Sequence, residues 1–475
     1  MQNEIKQKFA EIVGKENVKD DDETLRHYSE DMTEIDPVMP SGVIFCQNTE
    51  QIVKAVKIAN EYKIPITPRV AGTNLGGLTI PAEGGVVLDL TKMNRILEVN
   101  TDEMYAVIEP GVTFEQIKKH LDQKYDLVIG YPLSPPWVSI VANCLCDGLS
   151  NLSFRHGSMA EWINSIEVVL PTGEVMVAGA GALSHIWFSR APMPDLVGLF
   201  VSWQGTTGIV TKMAVQLWPK RPQRKRLFIM TYDWEGAFYL FRTFSRYNIF
   251  DDIGGLSWPS AKYLLKVKNP KERDPDEPLF FVYLDISGED EEELAVKLKI
   301  VYRILSNAKN KGIEMEKPVS VDDLLKINPD FSKFADFPTY LDFLIETEGG
   351  GLTWVGTYGP MSNLVEGAKK GEEIQRKYGF PPTMVFRAMK GGHFGVLRYI
   401  EIFDKKNPSS VNAVRQCNEE LCDLAMKLGY IPYKSPIWMV KRFQDKINPT
   451  FMETLRKIKK LLDPNNIMNP GKWLL

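Results

Sequence analysis

Apolar residues recur at helical spacing in two stretches of the first 125 residues. After Asn48 they lie three and four positions apart, and Gln51 stands where it completes a capping box. Thr113 opens a second stretch of this kind, with Gln116 three residues later. The pattern predicts two amphipathic helices whose buried faces carry Ile52, Val53, Val56 and Ala59 in the first and Ile117 and Leu121 in the second.

Apolar runs bounded by turn residues predict strands elsewhere in the chain. Residues 165–170 and 175–177 flank Pro171-Thr172-Gly173, which predicts a hairpin with a tight turn. Strands and helices together indicate an α+β fold. The remaining predicted strands lie at residues 43–46, 86–90, 208–217, 227–231, 279–286, 351–358 and 396–403.

Charge changes this reading at three places. The four acids 290–293 suit a helix start, where the helix dipole favours negative charge. Residues 1–14 and 451–462 are amphipathic helices, and the first of them has no signal-peptide pattern. Residues 219–226 read PKRPQRKR, which is either a basic binding patch or a surface connector between domains. We favour the connector, because proline and solvated charge are typical of linkers.

Composition excludes several classes of protein. The chain has 475 residues, of which 44% are hydrophobic and 25% charged, so it is globular, with two or three domains. A net charge of −4 gives no reason to expect nucleic acid or an anionic membrane as a partner. No apolar run is long enough to span a bilayer. Five cysteines indicate neither a disulfide framework nor a metal cluster, and a cytoplasmic location follows by default.

Residues 69–77, RVAGTNLGG, form the most specific motif. Three glycines allow positive φ and a close approach to the backbone, so the N–H groups can form a nest for an anion. The lysine and hydroxyl of a P-loop are missing, and extended chain follows where a dinucleotide fingerprint would open a helix. The motif therefore predicts a pyrophosphate bound by a loop between strands.

Four later segments complete a pattern that resembles the vanillyl-alcohol oxidase superfamily, also called the p-cresol methylhydroxylase-type FAD family. Five segments in the family's order are more specific than one glycine-rich loop, and they span almost the whole chain. The later four are Ser139-Ile-Val-Ala-Asn143, residues 156–174 beginning His-Gly-Ser-Met-Ala-Glu-Trp, residues 194–211 containing Gly205-Thr-Thr-Gly208, and residues 462–472, Leu-Asp-Pro-Asn-Asn-Ile-Met-Asn-Pro-Gly-Lys.

The resemblance implies a two-part FAD-binding domain with an inserted α+β cap domain. We place the FAD domain at residues 1–222 and 432–475 and the cap at 223–431. The FAD half is similar to the glycolate oxidase and D-lactate dehydrogenase branch. The residues that the resemblance assigns to FAD are Pro68, Arg69, Val70, Ala71, Gly72, Thr73, Asn74, Gly76, Ser139, Asn143, His156, Gly157, Gly208, Ile209 and Lys472.

The FAD is expected to be non-covalent. Family members tether the flavin through a His in the glycine-rich loop, or through a His or Tyr on the cap. Residues 69–77 contain no such side chain, and Leu397 falls at the cap position. His393 and Tyr399 lie near enough in sequence to leave an attachment open.

No catalytic metal is expected. The D-lactate branch holds a divalent metal with two histidine motifs. In this chain one motif is replaced by residues 391–399, GGHFGVLRY, and the other by residues 432–436, PYKSP. A single His393 cannot rebuild that site.

The phenol-oxidising branch is matched only in part. It places a Tyr and an Arg where the chain returns from the cap, and this chain has Tyr433 and Lys434. Tyr433 is expected to assist proton transfer, and Lys434 to bind an anionic oxygen. The alternative is that Tyr433 only packs and that the Lys434 side chain extends to solvent. The tyrosine of the family's glycine-rich loop is Leu75 here, and the acid beside flavin N5 falls on Ser134.

Each remaining candidate keeps an alternative. His393 is a base, a flavin attachment point or a solvated turn residue, and Arg398 holds a substrate carboxylate or forms a surface ion pair. His156 is a loop residue near the pyrophosphate or a base. The catalytic set is thus Tyr433, Lys434, His393 and Arg398. Aromatic residues that line the pocket or belong to the core are Trp354, Tyr358 and Tyr399.

The sequence predicts an FAD-dependent dehydrogenase. A small alcohol, a 2-hydroxy acid or a phenol would give a hydride to flavin N5, and electrons would pass to an acceptor protein, a quinone or oxygen. The alternative is a flavin-carrying electron-transfer subunit without its own substrate site. A homodimer remains open.

Overall fold

The computed structural model describes residues 1–264, 272–334 and 349–475. The N-terminal half contains helices α1 Asn3–Val13, α2 Asp22–Ser29, α3 Thr49–Tyr62, α4 Phe114–Lys124, α5 Ile140–Leu145 and α6 Ser153–His156. Its strands are β1 Val18–Lys19, β2 Gly42–Phe45, β3 Ile66–Arg69, β4 Val86–Asp89, β5 Ile96–Asn100, β6 Tyr105–Ile108, β7 Leu127–Val128, β8 Ile163–Val169, β9 Val175–Gly179, β10 Ile209–Gln216 and β11 Trp218–Pro219.

Two main sheets form this half. A four-stranded sheet has the order β1-β2-β4-β3, and its β2, β4 and β3 run parallel. A five-stranded antiparallel sheet has the order β5-β6-β10-β8-β9. Strands β7 and β11 form a separate pair. Each sheet packs its apolar face on its own helices, so two cores support the loops between them.

The second half is built on an eight-stranded antiparallel sheet of order β15-β12-β14-β13-β17-β18-β16-β19. Its strands are β12 Gln223–Thr231, β13 Asp252–Ser257, β14 Phe280–Gly288, β15 Val319–Ser320, β16 Gly350–Gly359, β17 Met384–Met389, β18 Phe394–Asp404 and β19 Ile431–Pro432. Its helices are α7 Trp234–Phe244, α8 Trp258–Leu264, α9 Glu291–Asn310, α10 Val321–Ile327, α11 Leu364–Lys377 and α12 Pro408–Lys427, followed by α13 Ile437–Phe443 and α14 Pro449–Leu462.

Side chains alternate between the two faces of the eight-stranded sheet. One face packs on helices around Phe238, Phe280 and Phe386, which are almost fully buried. The other carries Leu352, Val385 and Ile400 toward the N-terminal half. The mixture of helices with parallel and antiparallel sheets confirms the predicted α+β class. Among the described residues, no helix combines the length and apolar character needed to cross a membrane.

Local sequence signals located several elements correctly. The Asn48 side chain accepts a hydrogen bond from the Gln51 N–H at the start of α3. Strands β8 and β9 pair as the predicted hairpin. Thr113 caps α4, but the Gln116 amide donates to the Asn94 carbonyl and so does not close a capping box. The domain boundaries at 222/223 and 431/432 stay predictions.

The basic stretch 219–226 is not simply a surface connector. Its second half, from Gln223 on, is the start of β12. Antiparallel pairing sets Arg226 opposite Asp285 of β14, and the two buried side chains form an ion pair of 2.6 Å. Arg221 pairs with Glu293 of α9 at 2.6 Å. The arginines of this stretch therefore stabilise the sheet, because they form ion pairs with carboxylates on the neighbouring β14 and α9.

A carboxyl group is buried between the sheet and its helices. Glu401 of β18 is fully buried and accepts a hydrogen bond of 2.9 Å from the Gln375 amide of α11. Burial raises the pKa of the Glu401 carboxyl to about 8, and the nearby Glu34 carboxyl contributes to the rise. Glu401 is thus neutral in the folded protein at physiological pH.

Replacing Glu401 by glutamine is expected to stabilise the protein at alkaline pH. The unfolded chain loses the Glu401 proton near pH ~4.3 but the folded protein keeps it to about pH 8, so the free energy of unfolding falls between these values. Glu401→Gln removes this pH-dependent loss. The free energy of unfolding of the variant should exceed that of the wild type by at least ~1 kcal/mol at pH 8 and by less toward pH 4. Urea unfolding across this pH range measures it, and a difference independent of pH would contradict it.

Candidate functional site

A cavity of about 330 Å³ lies between the loops of the N-terminal half and the inner face of the eight-stranded sheet. The β3–β4 loop, the start of α5 and the start of β10 form one wall. Strands β16, β17 and β18 form the opposite wall. Of the predicted residues, those that line the cavity are Pro68, Arg69, Val70, Ala71, Gly72, Thr73, Asn74, Ser139, Asn143, Gly208, Ile209, Arg398 and Lys434.

The glycine-rich loop leaves β3 and re-enters the same sheet as β4, with the two strands parallel. Gly72 has φ +67°, and a Cβ there would lie 2.6 Å from Arg69 Nη2. The Arg69 guanidinium is fixed above the Tyr28 ring, 4.5 Å from its centre. Gly72 is therefore required both for its left-handed backbone and for the packing of Arg69.

Gly76 has a different role from the one expected. It does not line the cavity, and a Cβ there would lie 2.0 Å from the carbonyl oxygen of Lys434. Gly76 thus lets the returning segment approach the loop closely. Gly77, with φ +61°, packs on Ile35.

The start of α5 and the residues before β10 complete this wall. Ser139 accepts the Ala142 N–H at 3.1 Å and donates to the Pro110 carbonyl at 2.6 Å, which fixes the first turn of the helix. Asn143 lies one turn later and lines the cavity. Gly208 stands where a Cβ would lie 2.9 Å from the Val169 carbonyl oxygen. Close packing of β8 on β10 explains this glycine.

Three polar side chains with an unpartnered atom line this cavity, and the sequence reasoning missed two of them. Gln204 donates to the Ser435 carbonyl at 3.0 Å, and its Oε1 has no partner in the described part of the chain. The buried hydroxyls of Thr79 and Ser134 also have none there. Only the placement of Ser134 had been inferred. No local signal marks Gln204 or Thr79, since folding alone brings them to the cavity.

These features fit FAD. Residues 68–74 line the cavity, and a glycine-containing loop of this kind suits a pyrophosphate. The unpartnered Gln204, Thr79 and Ser134 atoms suit a ligand with many donors and acceptors, because a buried polar atom without a partner is costly. FAD would be held by the residues of the loop wall, where it would supply a two-electron acceptor.

Besides Gly76 and Lys472, four predicted residues lie away from the cavity lining. His156 stacks on Trp218 with ring centres 3.6 Å apart, and burial lowers its pKa to about 4. Gly157 ends α6 with φ +81°. His393 follows β17 in the turn to β18. Tyr433 is packed behind the lining residues, against Tyr358 at 4.6 Å between ring centres.

The last part of the chain supports the loop wall from behind. The Lys472 ammonium donates to the carbonyls of Gly77 at 2.7 Å and Ile80 at 3.0 Å. The Lys459 ammonium donates to the Thr206 carbonyl at 2.9 Å and to Asp463 at 2.5 Å. Lys472 therefore positions the predicted FAD loop without lining the cavity.

Two cations lie on the sheet side. The guanidinium of Arg398 is 4.6 Å from the centre of the Trp354 ring and donates to the Tyr433 hydroxyl. The Lys434 ammonium is 5.8 Å from the same ring centre. Arg398 has no carboxylate partner among the described residues, and its Nε has no hydrogen bond there. It is therefore not the surface ion pair that the sequence left open.

Arg387 is a third cation at the cavity, but it is neutralised. It pairs with Asp252 of β13 and donates to the Ser150 carbonyl of the N-terminal half. Tyr399 does not reach the cavity, since its hydroxyl donates to the Gly367 carbonyl on the helix face of the sheet. Of the aromatic candidates, Trp354 lines the cavity.

Acid precipitation is expected to release the flavin into the supernatant. Within the described part of the chain no His or Tyr lines the cavity, and Leu397 points into the core on the helix face. Cys146 is the remaining attachment candidate there, and burial raises the pKa of its thiol, which disfavours the thiolate. The absorbance of supernatant and pellet measures this release. A yellow pellet would contradict it.

Comparison with known proteins agrees with this geometry. Residues 40–179 match the family model described as FAD binding domain, and residues 268–473 match the one described as FAD linked oxidases, C-terminal domain. The 4-cresol dehydrogenase (hydroxylating) flavoprotein subunit of Pseudomonas putida is 27% identical over 508 residues, covering 99% of this chain and 95% of that protein. Glycolate oxidase subunit GlcD of Bacillus subtilis (strain 168) is 27% identical over 488 residues, covering 99% and 96%. The crystal structure of p-cresol methylhydroxylase with substrate bound has a TM-score of 0.86 at 25% identity, covering 100% of this chain and 96% of that one.

Proposed function

The chain belongs to the family of FAD-linked oxidoreductases in which these two domains occur together, and we propose that it dehydrogenates a small substrate carrying an anionic oxygen. The matches to these two domains confirm the predicted family and the predicted FAD cofactor. The observation that carries the substrate class is the buried Arg398 guanidinium, which faces the cavity without a carboxylate partner among the described residues.

The environment of Arg398 supports an anionic ligand. A buried cation is costly unless an anion meets it. Arg387 has such a partner in Asp252, whereas the hydrogen-bond partner of Arg398 among the described residues is the neutral Tyr433 hydroxyl. A carboxylate or a phenolate would satisfy the free edge of the guanidinium.

The chain's own residues divide the work. When bound, FAD supplies the two-electron acceptor at the loop wall. Arg398 binds and orients the anionic oxygen, and Tyr433 fixes the guanidinium. Leu352, Val385 and Ile400 exclude water from the sheet side. The polar groups converging on this side favour an enzyme over an electron-transfer subunit without a substrate site.

The names of two relatives suggest two classes of substrate. One is named a 4-cresol dehydrogenase and the other a glycolate oxidase subunit. We therefore propose either a 2-hydroxy acid, whose carboxylate would bind Arg398, or a 4-alkylphenol, whose oxygen would become anionic at Arg398 once its proton is removed. Electrons would pass to a separate acceptor protein or a quinone. The homodimer and the cytoplasmic location stay predictions.

Anaerobic flavin reduction tests the proposal. The holoenzyme is mixed with D-lactate, glycolate, 4-ethylphenol and uncharged primary alcohols, and flavin absorbance is followed. Bleaching by a hydroxy acid or by a phenol identifies the class, and uncharged alcohols should react far more slowly. Equal bleaching by uncharged alcohols, or none by any compound, would refute an anion-binding dehydrogenase.

Turnover is expected to survive EDTA unchanged. In the described part of the chain no group of three or more His, Cys, Asp or Glu side chains could hold a metal ion. Arg398 also takes the anion-binding role that a divalent cation would otherwise fill. Activity before and after dialysis against chelator measures this. Loss in EDTA that zinc or manganese restores would show a metal requirement.

A further inference from the structure

Lys434 is held in an unusual backbone conformation at the cavity. Its φ is +53°, in the left-handed region that is unfavourable for residues other than glycine. Gly76 packs on its carbonyl, and the Gln204 amide binds the carbonyl of the next residue, Ser435. The main chain is therefore fixed from two sides. The Lys434 side chain lines the cavity.

Among the described residues, the Lys434 ammonium lies near aromatic rings, a second cation and the Cys146 and Asp147 side chains. Its Nζ lies 5.8 Å from the Trp354 ring centre and 5.6 Å from that of Tyr433. Within the described residues it forms no hydrogen bond and no ion pair. A permanently charged ammonium would be unfavourable at this position, because no hydrogen bond or ion pair among the described residues would compensate for its lost hydration.

Arg398 and Lys434 differ in whether they can lose their charge. A guanidinium keeps its proton in proteins, whereas a buried ammonium loses it readily. Arg398 and Lys434 are neighbouring cations, and neither forms an ion pair among the described residues. Lys434 is therefore the one that loses its charge. Burial lowers the pKa of Lys434, and Arg398 acts in the same direction.

The acidic groups facing Lys434 do not cancel this effect. Cys146 and Asp147, from the loop after α5, favour the charged amine, but the pKa of Lys434 is still lowered. Burial raises the pKa of Asp147 and of Cys146, so both tend toward their neutral forms. The Asp147 carboxylate already accepts the Ser158 hydroxyl.

We propose that Lys434 is the catalytic base that removes the proton from the substrate hydroxyl. The inference rests on the proposed function. For a 2-hydroxy acid held by its carboxylate on Arg398, the hydroxyl O–H bond breaks and its proton forms an N–H bond at Lys434 Nζ. For a 4-alkylphenol, the phenol O–H gives its proton to Lys434 Nζ, and the resulting phenolate oxygen is the anion on Arg398. The C–H bond breaks at the same time, and its hydride with two electrons leaves to the oxidised flavin. The carbonyl or quinone methide product is neutral at that centre.

Tyr433 is less suited to this role than the sequence suggested. Its hydroxyl oxygen already accepts a hydrogen bond from Arg398. Burial also raises its pKa, which disfavours the phenolate that a base would need. Tyr433 is therefore a positioning residue for Arg398. The base is left to the adjacent Lys434.

Competitive labelling of the holoenzyme tests the base without any substrate. Trace acetic anhydride is added between pH 6 and pH 11, and acetylation is quantified by mass spectrometry with the exposed Lys309 as reference. Lys434 should become reactive at a lower pH than Lys309. Labelling that rises at the same pH as Lys309 or higher, or no labelling at any pH, would overturn the proposal.

Kinetics separate a base from an anion-binding cation. With the compound that bleaches the wild-type flavin, Lys434→Met and Lys434→Arg should each lower kcat about 10²- to 10⁴-fold, with little change in KM. Lys434→Ala should regain rate with added methylamine or ethylamine. Full kcat in Lys434→Arg would refute the base. If no compound bleaches the wild type, the proposed function fails, and labelling alone decides the role of Lys434.

Discussion

Arg398→Met is expected to lower kcat/KM by about 10² or more for a substrate with an anionic oxygen. Methionine keeps most of the side-chain volume against Trp354 but removes the charge. Removing one partner of a buried, hydrogen-bonded charge pair costs ~2–5 kcal/mol, and here the substrate would lose its partner. The loss should appear in KM and in the rate of flavin reduction, because orientation as well as binding depends on the guanidinium.

Two variants control this experiment. Arg398→Lys keeps a point charge but not the planar fork of the guanidinium. Its kcat/KM should therefore lie between those of the wild type and Arg398→Met. Arg376→Met removes an exposed arginine of α11 that pairs with Glu372 and should have wild-type kinetics. A wild-type kcat/KM in Arg398→Met would mean that the substrate anion binds elsewhere.

Asp252→Asn is expected to destabilise the protein by about 3–5 kcal/mol. Asp252 and Arg387 are both almost fully buried, and Arg387 also donates to Ser150, so the pair joins the sheet to the N-terminal half. Asparagine leaves the Arg387 cation without compensation inside the protein. Breaking a buried pair by removing one partner carries this penalty.

Urea unfolding of the holoenzyme measures this loss. Asp252→Leu combined with Arg387→Met removes both charges and should lose less than Asp252→Asn, because no buried charge is left unpaired. Glu366→Gln breaks an exposed pair with Lys370 and should change stability by less than ~1 kcal/mol. Equal stabilities of Asp252→Asn and wild type would show that this pair does not hold the two halves together.

Local chemistry explains which parts of the fold were predictable. A cap at Asn48 and a turn at residues 171–173 are decided by neighbours in sequence, so their elements were predicted correctly. The role of residues 219–226 was not predictable, because it depends on the pairing of Arg226 with Asp285, 59 residues away. Charge alone cannot distinguish a solvated linker from a strand whose partners supply carboxylates.

The candidate site divides in the same way. Glycine spacing revealed the loop wall, since a nest is a property of consecutive residues. Gln204 and Thr79 reach the cavity only through tertiary packing. The role of Arg398 depends on the antiparallel register that sets Gly356 opposite it, while the Tyr433 N–H binds the Gly356 carbonyl. No spacing in the sequence predicts that Arg398 and Tyr433 come together at Gly356.

The supports behind the loop wall have a consequence for biosynthesis. The cofactor loop at residues 69–77 emerges early from the ribosome, but the ammonium groups that hold this wall belong to Lys459 and Lys472. Until nearly the whole chain has been made, the nascent protein lacks a finished cradle. FAD is therefore expected to bind only after Lys459 and Lys472 have been made, by which time all strands of the eight-stranded sheet have been synthesised.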